Sequence, residues 1–428
     1  MSGEQITCDL IVIGSGMAGM AASLFAANRG IDVLQVGVTG EINFASGLID
    51  LLGVHPVERQ RVRKNPWSAM GELVRDVPSH PYARLRPEQI EQALDEFLLF
   101  LKNAGQVYTI KHRQNTQVLT PVGTVKTTYA VPQTMAYVHT ALENRQACLL
   151  VDVARLKGFS GRQIVENVTG RWPALRTARI EFPNTKGELY PEKMAWDLES
   201  TNTRAELIDR IRPHLGKTQC IGLPAVLGIY RTAEVLQDLQ QSLGVPVFEV
   251  PTMLPAVTGL RLREAFEQGL PQIGVRTLYQ HRIEKVKIGA DQMFHFFPGN
   301  GSGGAGAAVI KARAAVLATG RFYGKGLTAD RNRIRETLFN LPVYQPQNRT
   351  LWHDKDFLHP AGHLINQSGL PIDDCFRPVD HNREVVYPNL FAAGSVLAHQ
   401  DWIRQKCGSG LAIASAFGAV SGYLANCS

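Results

Sequence analysis

Residues 9–30 read DLIVIGSGMAGMAASLFAANRG, and this stretch decides the fold of the chain. It begins with an unbroken apolar run, Leu10–Ile13, which is typical of a buried strand. The glycine-rich GSGMAG follows at once, and the residues after it predict a helix with a small, apolar face that ends at Gly30. A second strand pattern, IDVLQVGV (31–38), completes a strand–turn–helix–strand unit of the expected size, about 30 residues.

The glycine-rich turn has the spacing G-x-G-x-x-G between a strand and a helix. In this motif the first glycine permits the tight turn, the second lets a phosphate touch the backbone, and the third allows close packing of helix and strand. The helix N-terminus then presents unpaired N–H groups and a partial positive charge to the phosphate. The sequence therefore predicts a nucleotide cofactor held by six consecutive residues, Gly14, Ser15, Gly16, Met17, Ala18 and Gly19.

The second strand lacks the acidic residue that usually holds an adenosine ribose about 20 residues after the glycine turn. Gly37 stands where Glu or Asp is expected. An FAD would lose its customary hydrogen-bond acceptor there, whereas FMN has no adenosine ribose to hold. The sequence therefore favours FMN, and FAD held through backbone contacts stays open as the alternative.

Three further segments indicate a flavin rather than a nicotinamide cofactor. Small residues in FASG (44–47) let the chain pass close to a planar ring, and AAVLATG (314–320) predicts a strand that ends at the cofactor. LFAAGSV (390–396) and GSGLAIASAFG (408–418) predict a glycine turn and a helix whose N-terminus stabilises the negative charge of a reduced flavin. The cofactor-binding residues expected in these segments are Ser46, Gly47, Thr319, Gly320, Gly394, Ser395, Ser409 and Gly410.

The chain is long enough, at 428 residues, for two or three domains. We expect an α/β fold in which residues 1–105 and 256–428 form a discontinuous, Rossmann-like flavin-binding domain, a parallel sheet with helices. Strand-like and helix-like pieces alternate with frequent Pro and Thr between residues 106 and 255. This part is predicted to be an inserted α+β domain that serves as a cap or substrate domain.

The composition excludes several classes of protein. Hydrophobic residues make up 44% and charged residues 19%, which argues against a disordered chain. The net charge of +7 suits anionic small molecules and is too weak to indicate nucleic acid. The six cysteines contain no C-x-x-C pair, so no metal site is expected. No signal peptide is visible and no uncharged apolar run reaches about 18–20 residues, so a soluble cytoplasmic protein with at most peripheral membrane association is predicted.

Four runs resemble the B subunit of the bacterial anaerobic glycerol-3-phosphate dehydrogenase, and the resemblance extends over nearly the whole chain. The runs are DLIVIGSGMAGMAASLFAANRG (9–30), GEINFASGLIDLLGVHP (40–56), PTMLPAVTGLRL (251–262) and NLFAAGSVLAHQDWIRQKCGSG (389–410). More distantly, ATG (318–320) and SGLPIDDCFRPVD (368–380) are similar to the fumarate reductase and succinate dehydrogenase flavoproteins.

This resemblance implies a flavin-dependent redox subunit of a complex. In the complex that the resemblance implies, the A subunit carries FAD and the B subunit, which this chain resembles, carries FMN. An iron–sulfur C subunit links both to the cytoplasmic face of the bacterial inner membrane. The complex oxidises sn-glycerol 3-phosphate to dihydroxyacetone phosphate and passes electrons toward quinone in anaerobic respiration. Gly37 agrees with FMN. Non-covalent flavin is expected, because no matching attachment histidine is present.

Oxidation of a secondary alcohol needs a base for the hydroxyl proton and cations for the phosphate. We prefer His399 and Arg404 as the catalytic pair because they precede the helix predicted to face the flavin, and Arg404 falls near an arginine that the wider superfamily uses. The candidates all lie late in the chain: His353, His359, His363, Arg377, His399 and Arg404.

Two alternatives remain open beside direct oxidation of substrate. The chain can be an electron-relay or assembly subunit without a substrate site of its own, or a stand-alone oxidoreductase of the fumarate reductase type. The second alternative needs a substrate arginine and an acid in the inserted domain, which shows no clear motif for them. The basic run ERQRVRK (58–64) is interpreted as a solvated loop, with docking to an acidic partner as the alternative.

Overall fold

The structure, a computed structural model, describes residues 5–38, 41–299 and 308–427. The strands within these ranges are β1 (Gln5–Ile13), β2 (Val33–Gly37), β3 (Tyr108–Ile110), β4 (Thr116–Leu119), β5 (Val125–Thr128), β6 (Ala130–Pro132), β7 (Cys148–Val153), β8 (Leu175–Ile180), β9 (Cys220–Pro224), β10 (Val247–Val250), β11 (Arg276–Tyr279), β12 (Ile283–Ile288), β13 (Phe294–Pro298), β14 (Val309–Leu317), β15 (Leu327–Ala329), β16 (Ile334–Glu336) and β17 (Leu390–Ala392).

The α-helices connect these strands and cover the sheets. They are α1 (Met17–Ala27), α2 (Pro66–Asp76), α3 (Pro87–Asn103), α4 (Tyr137–Glu143), α5 (Gly161–Val168), α6 (Pro191–Asp197), α7 (Thr201–Ile211), α8 (Thr232–Leu243), α9 (Val257–Gln272), α10 (Trp402–Gln405) and α11 (Gly408–Cys427).

The chain divides into two compact units. Unit 1 consists of Met1–Glu41, Asp50–Leu99 and Phe266–Ser428, and unit 2 consists of Ile42–Ile49 and Phe100–Ala265. The boundaries near residues 99 and 265 fall within helices α3 and α9, whereas the sequence predicted boundaries near residues 105 and 255.

Residues 42–49 belong to unit 2, although the sequence placed them in the flavin-binding domain. The carbonyl of Ile49 accepts the backbone N–H groups of Tyr129 and Ala130, each at 3.0 Å. The hydroxyl of Tyr108 donates to the carbonyl of Gly47 at 2.8 Å. These bonds join residues 61 to 81 positions apart, so no local pattern in the sequence could have revealed them.

Unit 1 is built on a mixed sheet in the order β11-β2-β1-β14-β13-β12, with β17 also paired to β14. Strands β1, β2, β11, β14 and β17 run parallel, while β12 and β13 pair antiparallel. The parallel sheet expected from the sequence is therefore extended by an antiparallel edge. Because parallel strands end on one side of a sheet, the turns after β1, β2, β14 and β17 all lie along the same edge.

Helices α1 and α11 pack on each other in unit 1, where the rings of Phe25 and Phe417 meet edge to face at 5.4 Å. Small residues allow α11 to approach other elements closely. A Cβ at Gly418 would lie 2.2 Å from the Phe376 ring, and one at Gly422 would lie 2.2 Å from the Cys375 carbonyl. These two contacts leave no space for any side chain on α11 at positions 418 and 422.

The segment Gly408–Asn426 of α11 is long and apolar enough to cross a membrane by length and composition alone. The prediction that no uncharged apolar run reaches about 18–20 residues was wrong, because the 19 residues Gly408–Asn426 carry no charged side chain and lie within one helix. Its mean hydropathy is 1.3, and 72% of it is buried inside the protein, as in the core helix of a soluble fold.

Unit 2 contains a four-stranded, all-parallel sheet in the order β10-β9-β7-β8 and two separate antiparallel pairs, β3-β6 and β4-β5. Helices alternate with the strands of the parallel sheet, so this unit has an α/β core where the sequence suggested α+β. Trp172 stacks on Phe248 at 6.3 Å in the middle of that core, and neither side chain is exposed.

A buried ion pair joins Glu249 on β10 to Arg261 on α9 within unit 2. The two N···O distances are 2.7 and 2.8 Å, and the Glu249 side chain has no exposed surface. Thr134 and the Leu227 N–H also donate to this carboxylate. Burial raises the pKa of Glu249, but the charge and hydrogen bonds of Arg261 outweigh it, so the pKa lies below its ordinary value.

Replacing Arg261 with Leu should lower the free energy of unfolding by about 3–5 kcal/mol, because it leaves a buried carboxylate without a countercharge. The stability that Glu249 contributes is present above the pKa of the unfolded carboxyl and is lost as the pH falls through the lower, folded value. Denaturant unfolding at a series of pH values, monitored by hydrogen exchange of the β9 and β10 amides, measures the loss of stability and its pH dependence.

The matched control is Arg162→Leu, which breaks the exposed pair that Arg162 forms with Glu166 at 3.0 Å on α5 of the same unit. It should cost no more than about 0.5 kcal/mol. An Arg261→Leu variant as stable as this control would contradict the structural role of the buried pair.

Candidate functional site

The first glycine of the turn after β1 is held between two strand ends. Gly14 has a φ of +128° and donates its N–H to the Val36 carbonyl at 2.8 Å, while Gln35 Nε2 donates to the Gly14 carbonyl at 3.2 Å. A Cβ at this position would lie 2.1 Å from the Ala318 carbonyl oxygen. Only glycine fits both the backbone angle and the contact.

The N-terminus of α1 has the features of an anion-binding site. Gly16 caps the helix without any side-chain hydrogen bond, and the first turn contains no acidic residue. The Ser15 hydroxyl beside it is buried and finds no partner among the residues that the structure describes. Met17 begins the helix, and Gly19 packs so closely on Gly14 that a Cβ would lie 2.0 Å from its carbonyl. Free N–H groups and a free hydroxyl at one helix end suit a phosphate.

Gly37 at the end of β2 touches this anion site directly. A Cβ at Gly37 would lie 2.7 Å from both the backbone nitrogen and the hydroxyl of Ser15. No side chain fits there unless the glycine turn moves. The absence of a carboxylate at position 37, noted in the sequence, therefore has a steric explanation in the structure.

The turn after β14 adjoins the glycine turn. Ala318 donates its N–H to the carbonyl of Ile13 at the end of β1, and Gly320 has a φ of +68°. The Thr319 hydroxyl between them is buried and has no hydrogen-bond partner in the described part of the chain. Thr319 thus offers a second free hydroxyl near the glycine turn after β1.

The turn after β17 completes this group. A Cβ at Gly394, where φ is +80°, would lie 2.6 Å from the Cβ of Ala18 on the first turn of α1. Gly394 donates its N–H to Ser415 on α11 at 2.8 Å, and Ser395 follows it, half-buried. The structure therefore brings together the residues predicted at 14–19, 319–320 and 394–395.

Ser409 and Gly410, at the start of α11, hold another part of unit 1. The Asp50 N–H donates to the Ser409 hydroxyl at 2.7 Å, and the Gly410 N–H donates to the Asp50 carbonyl at 2.9 Å. The sequence predicted that these two residues contact the flavin. In the structure the hydroxyl and the N–H bind the backbone of Asp50.

Ser46 and Gly47 lie in unit 2. Gly47 has a φ of +76°, and a Cβ there would lie 2.8 Å from the Cβ of Thr258. Their predicted contact with the flavin stays a prediction.

His399, the predicted base, lines a cavity of about 440 Å³ in unit 1. Its φ is +61°, its N–H donates to the Gln367 carbonyl at 2.9 Å, and its ring centroid lies 4.0 Å from that of Tyr344. Burial lowers the pKa of His399 below its ordinary value, and the charge of Arg84 lowers it further. The imidazole is therefore neutral at pH 7, as a general base must be.

Arg84 is a cation in the wall of this cavity that sequence reasoning missed. It forms an ion pair with Asp374 at 2.9 Å. It lies 315 residues before His399, and no motif in the sequence links the two. The other lining residues are Ser79, Pro342, Val343, Tyr344, Leu370, Pro371, Ile372, Asp373, Asp374, Val379, Asp380, His381, Arg383 and Ala398.

Arg404 does not line the cavity that contains His399. Its backbone N–H, on the short helix α10, donates to the Asp401 carboxylate at 3.1 Å. A Cβ at Gly362 would lie 3.2 Å from its Cγ. The predicted pair is thus divided between the cavity wall and the neighbouring helix.

The remaining candidates all make contacts within the protein, and the backbone N–H of His359 donates to the Asp356 carbonyl at 2.9 Å. Arg377 is paired with Asp373 at 2.7 Å, and the rings of His353 and His363 lie 5.3 Å apart. No group of three or more His, Cys, Asp or Glu side chains that could hold a metal ion occurs in residues 5–38, 41–299 and 308–427.

The basic run at 58–64 is not a uniformly solvated loop. Arg63 is 7% exposed and forms an ion pair with Glu72 on α2, so its interpretation as a solvated residue was wrong. Arg59, Arg61 and Lys64 are exposed.

Comparisons with known proteins agree with a flavin site. A family described as "FAD binding domain" matches residues 9–411. Two relatives, each named as the B subunit of an anaerobic glycerol-3-phosphate dehydrogenase, confirm the resemblance read from the sequence. The relative from Pectobacterium atrosepticum is 26% identical over 95% of this chain and 96% of its own. The relative from Aliivibrio fischeri is 27% identical over 97% of this chain and 95% of its own.

A solved structure, the open conformation of a flavocytochrome c3 fumarate reductase, is 11% identical to this chain with a TM-score of 0.43. It covers 99% of this chain and 79% of its own.

Replacing Gly37 with Ala should weaken flavin binding at least about tenfold, or ~1.4 kcal/mol, because the new Cβ displaces Ser15 and the anion site. Titration of the apoprotein with FMN, followed by flavin fluorescence, measures the dissociation constant. Gly170→Ala is the control, because a Cβ at Gly170 meets no atom within 4 Å. Equal affinities of the two variants would show that Gly37 does not shape the flavin site.

Proposed function

The chain belongs to the FAD binding domain family, and from this premise we propose that it is the flavin-dependent redox subunit of an anaerobic glycerol-3-phosphate dehydrogenase complex. The observation that carries the proposal is the anion site at the N-terminus of α1. Its uncapped helix end and the free Ser15 hydroxyl match what a flavin phosphate requires.

We propose FMN as the flavin, with FAD as the alternative. The tight contact between Gly37 and Ser15 supports FMN, because it leaves no room at the end of β2 for the carboxylate that binds an adenosine ribose. The residues of unit 1 proposed to hold the flavin without a covalent bond are Gly14, Ser15, Gly16, Met17, Ala18, Gly19, Thr319, Gly320, Gly394, Ser395, Ser409 and Gly410.

We propose that the chain oxidises sn-glycerol 3-phosphate to dihydroxyacetone phosphate. A bound flavin supplies the two-electron acceptor for this reaction. His399 takes the hydroxyl proton, since its depressed pKa keeps it neutral at pH 7. Arg84, which lines the same cavity, binds the substrate phosphate. Arg404 is proposed as a further cation, because no ion pair engages its guanidinium within the described residues.

The proposed partners are an FAD-containing A subunit and an iron–sulfur C subunit. Through them the chain would sit peripherally on the cytoplasmic face of the bacterial inner membrane and pass electrons toward quinone. The support for this assembly is that the relatives bear the name of a subunit. Co-purification of the tagged chain with each candidate subunit tests it, and a monomer fully active without partners would contradict it.

The decisive experiment identifies the released cofactor and the reducing substrate. Denaturation of the purified chain should release FMN, and release of FAD would overturn the FMN assignment. Anaerobic addition of glycerol 3-phosphate to the isolated chain should bleach the bound flavin. Bleaching only in the presence of the A subunit would instead assign the chain to electron relay.

The rate of flavin reduction should fall at low pH as His399 becomes protonated. Replacing Arg84 with Gln should shift this fall to higher pH. Removal of the positive charge raises the pKa of His399, so the imidazole becomes protonated at a higher pH and no longer serves as a base. The limiting rate of flavin reduction, measured by stopped flow at saturating glycerol 3-phosphate, reports this fall.

Asp374→Asn is the matched control. It breaks the same ion pair but keeps the positive charge of Arg84 near His399. The fall at low pH should not move upward in this variant. A pH profile that is identical in wild type and in Arg84→Gln would exclude His399 as the base.

A further inference from the structure

Arg321 directly follows Thr319 and Gly320 at the end of β14, and no sequence pattern singles it out. One terminal nitrogen of its guanidinium donates to the Ser368 carbonyl. The Nε atom is buried and has no hydrogen-bond partner among the described residues. An unsatisfied, buried N–H of a charged group is costly, so this arrangement calls for an acceptor.

The guanidinium of Arg321 also forms no ion pair within the described residues. No carboxylate lies within ion-pair distance of its guanidinium in the described part of the chain, although Asp401 interacts with it electrostatically. The Asp401 carboxylate is engaged by Asn366 at 3.0 Å and by the Arg404 N–H at 3.1 Å. Burial lowers the pKa of Arg321 to about 10, which still leaves the guanidinium charged at pH 7.

Two further donors without partners accompany Arg321. The Ser368 hydroxyl is completely buried and unbonded, and its own carbonyl binds Arg321. The Thr319 hydroxyl, two residues before Arg321, is unbonded as well. A cation and two free hydroxyls next to the edge where the glycine turns converge match a ligand that is anionic and rich in acceptors.

We propose that Arg321 is the cationic contact for an anionic group bound beside the end of β14. Two groups have the required chemistry. One is the N1–C2 carbonyl edge of the flavin, which carries negative charge when the flavin is reduced, and the other is the phosphate of the substrate. The second source rests on the proposed function, whereas the first requires only flavin binding.

The test compares Arg321→Gln and Arg321→Lys with the wild-type chain in its flavin-loaded form. Sulfite adds to N5 of an oxidised flavin and leaves negative charge at N1 and the C2 carbonyl, so its affinity reports a cation at that edge. Inorganic phosphate, titrated by calorimetry, reports a cation at a phosphate site. Arg349→Gln is the matched control, because Arg349 also donates to a backbone carbonyl, that of Asp330 at 2.9 Å, and is exposed.

Arg321→Gln should lower the affinity for sulfite or for phosphate at least tenfold, and Arg321→Lys should restore part of the lost affinity. A loss of sulfite affinity assigns the flavin edge, and a loss of phosphate affinity assigns the substrate phosphate. Unchanged affinities for both probes would overturn the proposal, and so would failure of both variants to fold, since Arg321 would then serve only to bind Ser368. Neither probe depends on oxidation of glycerol 3-phosphate, so failure of the proposed reaction is seen separately.

Discussion

The close backbone contact between Gly14 and Ala318 is the constraint on which the site in unit 1 depends. It brings the turn after β1 against the end of β14, with no space for a single Cβ between them. Gly19, in the first turn of α1, packs equally closely on the Gly14 carbonyl and holds α1 over the same turn. The free N-terminus of α1, the Thr319 hydroxyl and Gly394 then share one edge of the sheet, where unpaired donors are held in place before any anionic ligand arrives.

Local patterns predicted the parts of the site that lie within one strand–turn–helix unit. Residues 14–19 and the absence of a carboxylate at Gly37 were readable because each depends on neighbours in sequence. The steric reason at Gly37 was hidden, since it needs the position of Ser15 in space. The fold class followed from the same patterns, whereas the antiparallel edge formed by β12 and β13 did not, since strand direction depends on the path of the connections.

Long-range contacts account for what the sequence could not show. Arg84 shares a cavity with His399, and Asp50 binds Ser409, in each case more than 300 residues away along the chain. The protonation states of His399 and Arg321 were equally hidden from the sequence, because each depends on burial in the folded protein. Burial disfavours the charged form of both, but only the histidine has an ordinary pKa close enough to neutrality to lose its proton.

The parallel pairing of β1 with β14, from Gln5 opposite Val309 to Ile13 opposite Leu317, has a consequence for the timing of synthesis. The first strand leaves the ribosome about 300 residues before its partner, a delay of roughly 15–60 s at ordinary rates of translation. Unit 2 is completed during this interval and has its own core, so it can fold first. The sheet edge that carries the glycine turns therefore forms late, and the apolar face of β1 needs protection from aggregation until β14 arrives.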